Sequence, residues 1–590
     1  MAVAVAAALW SAGSLSAVAI GEDTEFMIGM DDEVNIRRLQ DTQDLPLIDA
    51  LWAAVTPAEP AVSLGVYEPG TSLFRTMLAR TVGQDARTFA VAGLFLHCLA
   101  VALAFGNSQV LLSHATTSPL WIGMASAYIG SHAMRVEVVC WSSCHGYLLA
   151  TIFCLLSFRC RTMSSDVGEL FFLGCAFLCK AAVVTFVTFL WVWDILEAEE
   201  SGNAKAGSAK AMDVLLRTFR RIRLRFIPLV LVEVILATLA SAGAPADVRE
   251  LDLLESLLRA AYAPCFYLYH SLVPPWQWTT PRFALPAQTL SVAEPRFVAA
   301  LTLLCTLTLG PPVLWLCRVQ TWKLWLAWLT YLSLLLPTLG VSNHVWSMAA
   351  DRYVYLPSLC LFIPCLANFL HRSQAAVGRK LVLALWLPFL LASSWHGYQV
   401  AAKWAHGSTF LFKAILEHHE LEFHTLKDLG TLQLKQGHLG AAKVTLNQAL
   451  ELRPSHPGVL LNMATLLHKS KVPREAEGMY RRACAAATAA TERCQHCQPA
   501  VTELAKAQAN YGGLLLQLGR ANEAAALLEV GAPWDEAVES ARAVALQHLC
   551  IAYHAMGPSQ NSRAIRFCRA ASAAKGVQAS DEDVQVNGLR

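Results

Sequence analysis

Membrane-length apolar runs fill the first two thirds of this chain, and no other feature limits its folding more. About 20 apolar residues at 1.5 Å rise cross the bilayer hydrocarbon, where the backbone must satisfy its own hydrogen bonds. Such runs cover Ala2–Ile20, Phe89–Gly106, Pro119–Gly130, Val138–Ser157, Leu170–Trp193, Phe226–Ala242, Phe297–Cys317, Leu324–Val341, Tyr353–Leu370 and Leu381–Trp395. The first lacks the Lys or Arg of a signal-peptide start and reads as a span. Of 590 residues 55% are apolar and only 15% charged, against about 25% charged in an average globular protein. That deficit excludes a disordered chain, a purely cytosolic enzyme and a nucleic-acid binder relying on a basic surface. A net charge of +2 points to no partner, and the 17 Cys are scattered without the pattern of a disulfide framework.

Loop charge sets the orientation. Arg159 and Arg161 share one loop, and Lys205, Lys210, Arg217, Arg220, Arg221, Arg223 and Arg225 another. Arg318 with Lys323, then Arg372, Arg379 and Lys380, mark two more. With these cytoplasmic, residues 21–87, 131–137, 243–296, 341–352 and everything past 396 face the other side. Both flanks of 169–194 are then cytoplasmic. That run must be either two short tilted helices turning near Lys180 or a re-entrant segment.

Near residue 400 the character changes to an Ala-rich helical pattern, giving a membrane domain over 1–400, a soluble domain over 401–580 and a flexible tail over 581–590. A 34-residue self-similarity runs through the soluble part. Leu429-Gly430, Gly437, Ala442, Leu446, Ala449 and Pro454 recur as Met463-Ala464, Ala476, Tyr480 and Ala483. They recur again as Tyr511-Gly512, Gly519, Ala524 and Leu528, and as Leu549-Cys550, Gly557, Ala564 and Ala571. Small residues at positions 8, 20 and 27 are the tetratricopeptide signature, because paired helices approach closely there. The repeats lie near 423–456, 457–490, 505–538 and 543–576 and predict a superhelix that holds an extended peptide. A generic Ala-rich bundle is the alternative. Cys494 and Cys497 form a CxxC between the second and third units, open to a structural disulfide, a redox pair, half a zinc site or no chemistry at all.

Ionisable groups at membrane depth or on short loops between spans mark chemistry. Asp31 and Asp32 are adjacent carboxylates whose repulsion favours a raised pKa on one of them. His132, Arg135 and Glu137 crowd one very short turn. Asp351-Arg352-Tyr353 stands where a helix begins, and an Arg there can clamp a lipid phosphate. Lys180 and Glu233 sit inside apolar runs. The bland alternatives are solvated acids and interfacial anchors.

In order along the chain come Phe26–Ile36 around Asp31-Asp32, Tyr67-Glu68-Pro69-Gly70-Thr71-Ser72-Leu73, Phe95-Leu96-His97 and His132…Glu137…Trp141. Cys179-Lys180-Ala181, Trp193-Asp194, Phe266-Tyr267-Leu268-Tyr269, Pro274-Pro275 and Ala350-Asp351-Arg352-Tyr353-Val354-Tyr355-Leu356-Pro357-Ser358 follow, with the repeats at the end. This order resembles the transmembrane-and-tetratricopeptide-repeat O-mannosyltransferases. The resemblance implies an all-α fold: a polytopic helical membrane domain of GT-C glycosyltransferase type followed by an α-solenoid. It also implies an endoplasmic-reticulum enzyme, with luminal repeats, that passes mannose from dolichyl phosphate mannose to Ser or Thr hydroxyls of luminal polypeptides. Asp31, Asp32 and Glu137 would be catalytic, and Arg352, His132, Arg135 and Lys180 would bind the donor phosphate. No cofactor or metal is implied; the lipid-linked donor is a substrate and the acceptor polypeptides are held by the repeats. The chain departs from the family at Ala133 (usually Pro), Arg135 (usually His), Ala181 (usually Glu) and His145 (near an expected Arg). These departures favour a second reading, a non-catalytic membrane-anchored scaffold that binds luminal clients.

Overall fold

The computed structural model describes residues 2–16, 26, 31–56, 67–200, 252–272, 282–284, 290–316, 322–339, 347–405, 412, 416, 423–493, 498–530 and 539–574. The expected run Phe226–Ala242 with Glu233, the basic loop 205–225, the Cys494/Cys497 pair and the tail lie outside them. The fold is all-α, apart from a short antiparallel pairing of Arg282–Ala284 with Ser347–Ala350. The chain divides into two compact units, the first reaching residue 420 and the second starting at 421. The division falls beyond residue 400 because the last apolar run belongs to a helix that continues to Ala405.

Among the described residues of the first unit, five helices are long and apolar enough to cross a membrane: Ala86–Leu111, Ser142–Thr162, Pro295–Leu314, Asp351–Val377 and Arg379–Ala405. The protein is therefore an integral, multi-pass membrane protein. Pro295–Leu314 leaves Leu301, Leu303, Leu309 and Val313 exposed, an apolar face suited to lipid rather than water. Polar side chains join helices where no water competes. Trp10 Nε1 donates to Ser394 Oγ at 2.8 Å, Ser394 Oγ donates to Ser131 Oγ at 2.9 Å, and Asn107 Nδ2 donates to the Leu155 carbonyl at 2.9 Å.

Several expected spans take other forms. The first helix is the shorter Ala2–Leu15. The run expected to begin at Val138 is broken: a short helix, Val136–Cys140, ends at the extended Trp141, and the long helix begins only at His145. The polar turn thus extends to Cys144. Leu253–Leu272, expected as loop, is a helix whose Leu258, Phe266 and Tyr267 are buried.

Residues 166–200 form two short helices, Asp166–Cys179 and Phe186–Glu200, separated at the extended Lys180. Arg161, expected on a loop, instead sits in the last turn of His145–Thr162, where it is buried against Glu169 and Asp194. Lys180 lies over Tyr147, at the other end of that helix. The chain therefore runs the length of His145–Thr162 to Lys180 and returns.

Among its described residues the second unit has four helix pairs: Phe423–Lys435 with Leu439–Leu452, Pro457–Lys469 with Pro473–Arg493, Gln498–Gln517 with Ala521–Val530, and Glu539–Ala555 with Asn561–Ala574. The recurring small residues Ala442, Ala449, Ala464, Ala476, Ala483, Ala524 and Ala564 are all buried. At Gly430 a Cβ would stand 2.7 Å from Leu446, and at Gly512 it would stand 2.8 Å from Leu528. The periodicity records this close approach. Each pair turns through one residue with positive φ: Gly437, Lys471, Gly519 and Gly557.

Candidate functional site

The candidate residues meet at the end of the first unit where helix His145–Thr162 begins. Helix Asp31–Asp41 brings the acid pair. The Asp32 carboxylate is 1% exposed and accepts from the Ser143 amide at 3.0 Å and the Ser142 hydroxyl at 3.3 Å. The Ser143 hydroxyl donates to it as well. Asp32 is thus fastened to the turn behind Trp141. Asp31 opens the same helix; its side chain lies outside the described residues.

Glu137 is 2% exposed and pairs with Arg352, whose guanidinium and backbone amide both reach the carboxylate, the amide at 3.0 Å. The Arg352 guanidinium lies 5.5 Å from the Trp141 ring centre and 4.7 Å from that of Tyr353. These residues are 215 positions apart in sequence, and the short helices at 136–140 and 351–354 aim them at one another. Lys180 pairs with Glu68 and lies 4.6 Å from the Tyr147 ring centre. Tyr147 in turn stands 6.2 Å from Tyr353. Gly146 permits this approach, since a Cβ there would stand 2.9 Å from the Cys179 carbonyl, Glu68 Oε2 and Thr71 Oγ1.

Arg135 is fully buried, donates to Ser358 Oγ at 2.6 Å and stands over the Tyr355 ring. His132 Nδ1 accepts from the Met134 amide at 3.3 Å. Burial, together with Arg135, His396 and His270 nearby, holds the His132 imidazole well below its ordinary pKa, so it is neutral at pH 7. Four buried polar atoms in this cluster have no hydrogen-bond partner among the described residues: His132 Nε2, Arg135 Nε, Trp141 Nε1 and Asp351 Oδ1. Buried groups of this kind are rare, because each forfeits its bonds to water.

His145 is not part of the cluster. Its ring stacks on Phe89 and shares a hydrogen bond of 3.0 Å with the Phe89 carbonyl. Sequence reasoning gave no role to Tyr147, Ser142, Ser143 or Arg75, and the partnership of Glu68 with Lys180 had no local signal. The Ser-Ser pair after Trp141 was the available hint for the Asp32 cradle. Among the described residues, the one Cys/His/acid group close enough to hold a metal is Cys550, His554 and Cys568, and the two sulfurs are joined as a disulfide.

No family model matches the chain, and no curated protein aligns with it significantly.

Proposed function

We propose that the chain is a protein O-mannosyltransferase of the endoplasmic-reticulum membrane that uses dolichyl phosphate mannose as donor and Ser or Thr hydroxyls of luminal polypeptides as acceptors. The reading rests on the resemblance in segment order. The observation that carries it is the group of unsatisfied buried atoms, His132 Nε2, Arg135 Nε and Asp351 Oδ1, beside the Glu137–Arg352 pair. Polar atoms kept unbonded at a helix end are what a site for a polar substrate carried by a lipid requires.

In this reading Asp31 accepts the acceptor hydroxyl proton as the oxygen attacks the anomeric carbon. The bond from that carbon to the phosphate oxygen breaks, and the electron pair leaves with dolichyl phosphate. Direct displacement inverts the anomeric centre. Arg352 neutralises the leaving phosphate, helped by Arg135 and Lys180, while neutral His132 offers a hydrogen bond. Asp32, held by Ser142 and Ser143, positions the helix that carries the base, and Glu137 orients Arg352. The paired helices of the second unit, as tetratricopeptide repeats, hold the acceptor polypeptide.

The test is transfer of labelled mannose by the reconstituted full chain. Asp31→Asn should abolish transfer, and Arg352→Ala should weaken use of the donor. Full activity in Asp31→Asn removes Asp31 from the base role. A second reading, the non-catalytic scaffold, is favoured by one observation: Arg352 and Lys180 are already neutralised by Glu137 and Glu68. It predicts no transfer but retained capture of luminal clients by the full chain.

A further inference from the structure

Beside the Ser142–Ser143 turn lies a second cationic feature of different character. The helices Asp31–Asp41, Leu47–Val55 and Pro69–Thr81 line a small opening continuous with solvent. Its polar lining is Asn35, Arg38, Thr42, Ser72, Arg75 and Thr76, and none of its lining residues is acidic. Ser72, Arg75 and Thr76 share one helix face, three and four residues apart.

Arg75 is only 6% exposed, yet its guanidinium meets only backbone carbonyls, Ser143 at 2.8 Å and Ser142 at 3.3 Å, and its Nε is buried without a partner. Arg38 is likewise spent on carbonyls, those of Ala53 at 2.6 Å and Thr56 at 2.5 Å. Neither has a carboxylate partner among the described residues, whereas Arg352, Arg161 and Lys180 all do. Removing a guanidinium from water without a counter-charge is costly. Two such groups converging on one solvent-connected space, with hydroxyls and an amide between them, form a site that a compact oxyanion completes. Guanidinium groups suit phosphate oxygens because they offer paired N–H donors in one plane.

The geometry points to an anion site here that binds a phosphate group through Arg38 and Arg75, with Asn35, Ser72 and Thr76 as neutral hydrogen-bonding partners. The phosphate comes either from a polyprenyl monophosphate headgroup or from free phosphate. The inference does not rest on mannose transfer, because it is read as binding without turnover.

The experiment is thermal melting of the purified full chain in detergent at constant ionic strength, titrated with inorganic phosphate or with a polyprenyl monophosphate. The wild type should show a saturable rise of several degrees with at least one probe. Protection by the polyprenyl monophosphate alone assigns the lipid headgroup, and equal protection by both assigns free phosphate. Arg38→Gln should weaken the apparent affinity at least tenfold, and Arg38→Lys should keep part of it. Ser72→Glu, which supplies a resident carboxylate, should raise the melting point of the unliganded protein and, in an Arg352→Ala background that disables the proposed donor contact, remove the response to either probe. Two results overturn the site: no melting shift in the wild type with either probe, or a response retained in both Arg38→Gln and Ser72→Glu when each is placed in the Arg352→Ala background. Ser72→Glu keeps the test decisive if Arg38→Gln does not fold.

Discussion

The two units bury their contents by opposite means. At the end of the first unit, full charges are taken out of water and paired across long sequence separations, as in Glu137–Arg352 and Lys180–Glu68, and some polar atoms are left unbonded. The second unit is closed by small residues, with Ala442, Ala464, Ala476 and Ala524 filling the seams between helices. One polar link there gathers three donors on a single oxygen: Glu477 Oε1 receives Arg520 at 2.9 Å, Arg481 at 2.7 Å and Tyr511 at 3.2 Å. Although burial opposes it, these donors hold the Glu477 carboxyl below its usual range. Buried ion pairs with unbonded polar atoms beside them set the first unit apart, and close packing of small residues sets the second apart.

If that contrast is real, breaking one partner should hurt the first unit most. Glu137→Gln strands a buried guanidinium and should destabilise the first unit by roughly 3–5 kcal/mol, the usual cost of breaking a buried pair. A loss under about 1 kcal/mol in denaturant melts would mean the pair is effectively solvated, as exposed ion pairs are. In the second unit the Cys550–Cys568 disulfide joins the last helix pair across 18 positions. Replacing both cysteines by Ala should cost roughly 2–4 kcal/mol, with the loss confined to the unfolding of that unit. An unchanged melt under non-reducing conditions would rule out the cross-link.

Acid should act next. The folded pKa of His132 lies below its unfolded value, so the unfolded chain binds the extra proton. Stability on this account is complete above an unfolded pKa of about 6.5 and falls as pH drops below it, by at most about 1.4 kcal/mol per unit. His132→Asn should flatten the pH dependence of melting between about pH 6.5 and 5; an identical slope would mean that the imidazole is solvated. The smallest effect is a gain. Lys471 has φ 59° where the other three pairs have Gly, and Lys471→Gly should relieve roughly 1 kcal/mol of left-handed strain. A loss of stability instead would show that the Lys471 side chain is needed there.

The sequence was most legible where structure is periodic. Apolar runs located most of the helices of the first unit, and the 34-residue spacing located the seams of the second, because both patterns are local consequences of helix geometry. In the site, Glu137, Lys180 and Arg352 stood out because a charge beside apolar residues is conspicuous. Their partners did not. Glu68 and Lys180 are 112 positions apart, and no local pattern encodes that meeting. Arg38 and Arg75 escaped notice because they lie in a polar stretch where a charge carries no contrast. The break at Trp141 was hidden because Val138, Val139 and Cys140 extend an apolar run without a Pro or Gly to end it.

The central claim is that the acidic helix at 31–41 and the paired helices after 423 serve one reaction, which requires a shared luminal compartment. Glycosylation acceptor sequences placed in the turn at 42–46 and after residue 574 of the full chain, read in microsomal membranes, test this most directly. The account predicts that both are modified. Modification of the first with none at the second, while the second is digested by external protease, would put the helix pairs in the cytosol and contradict it.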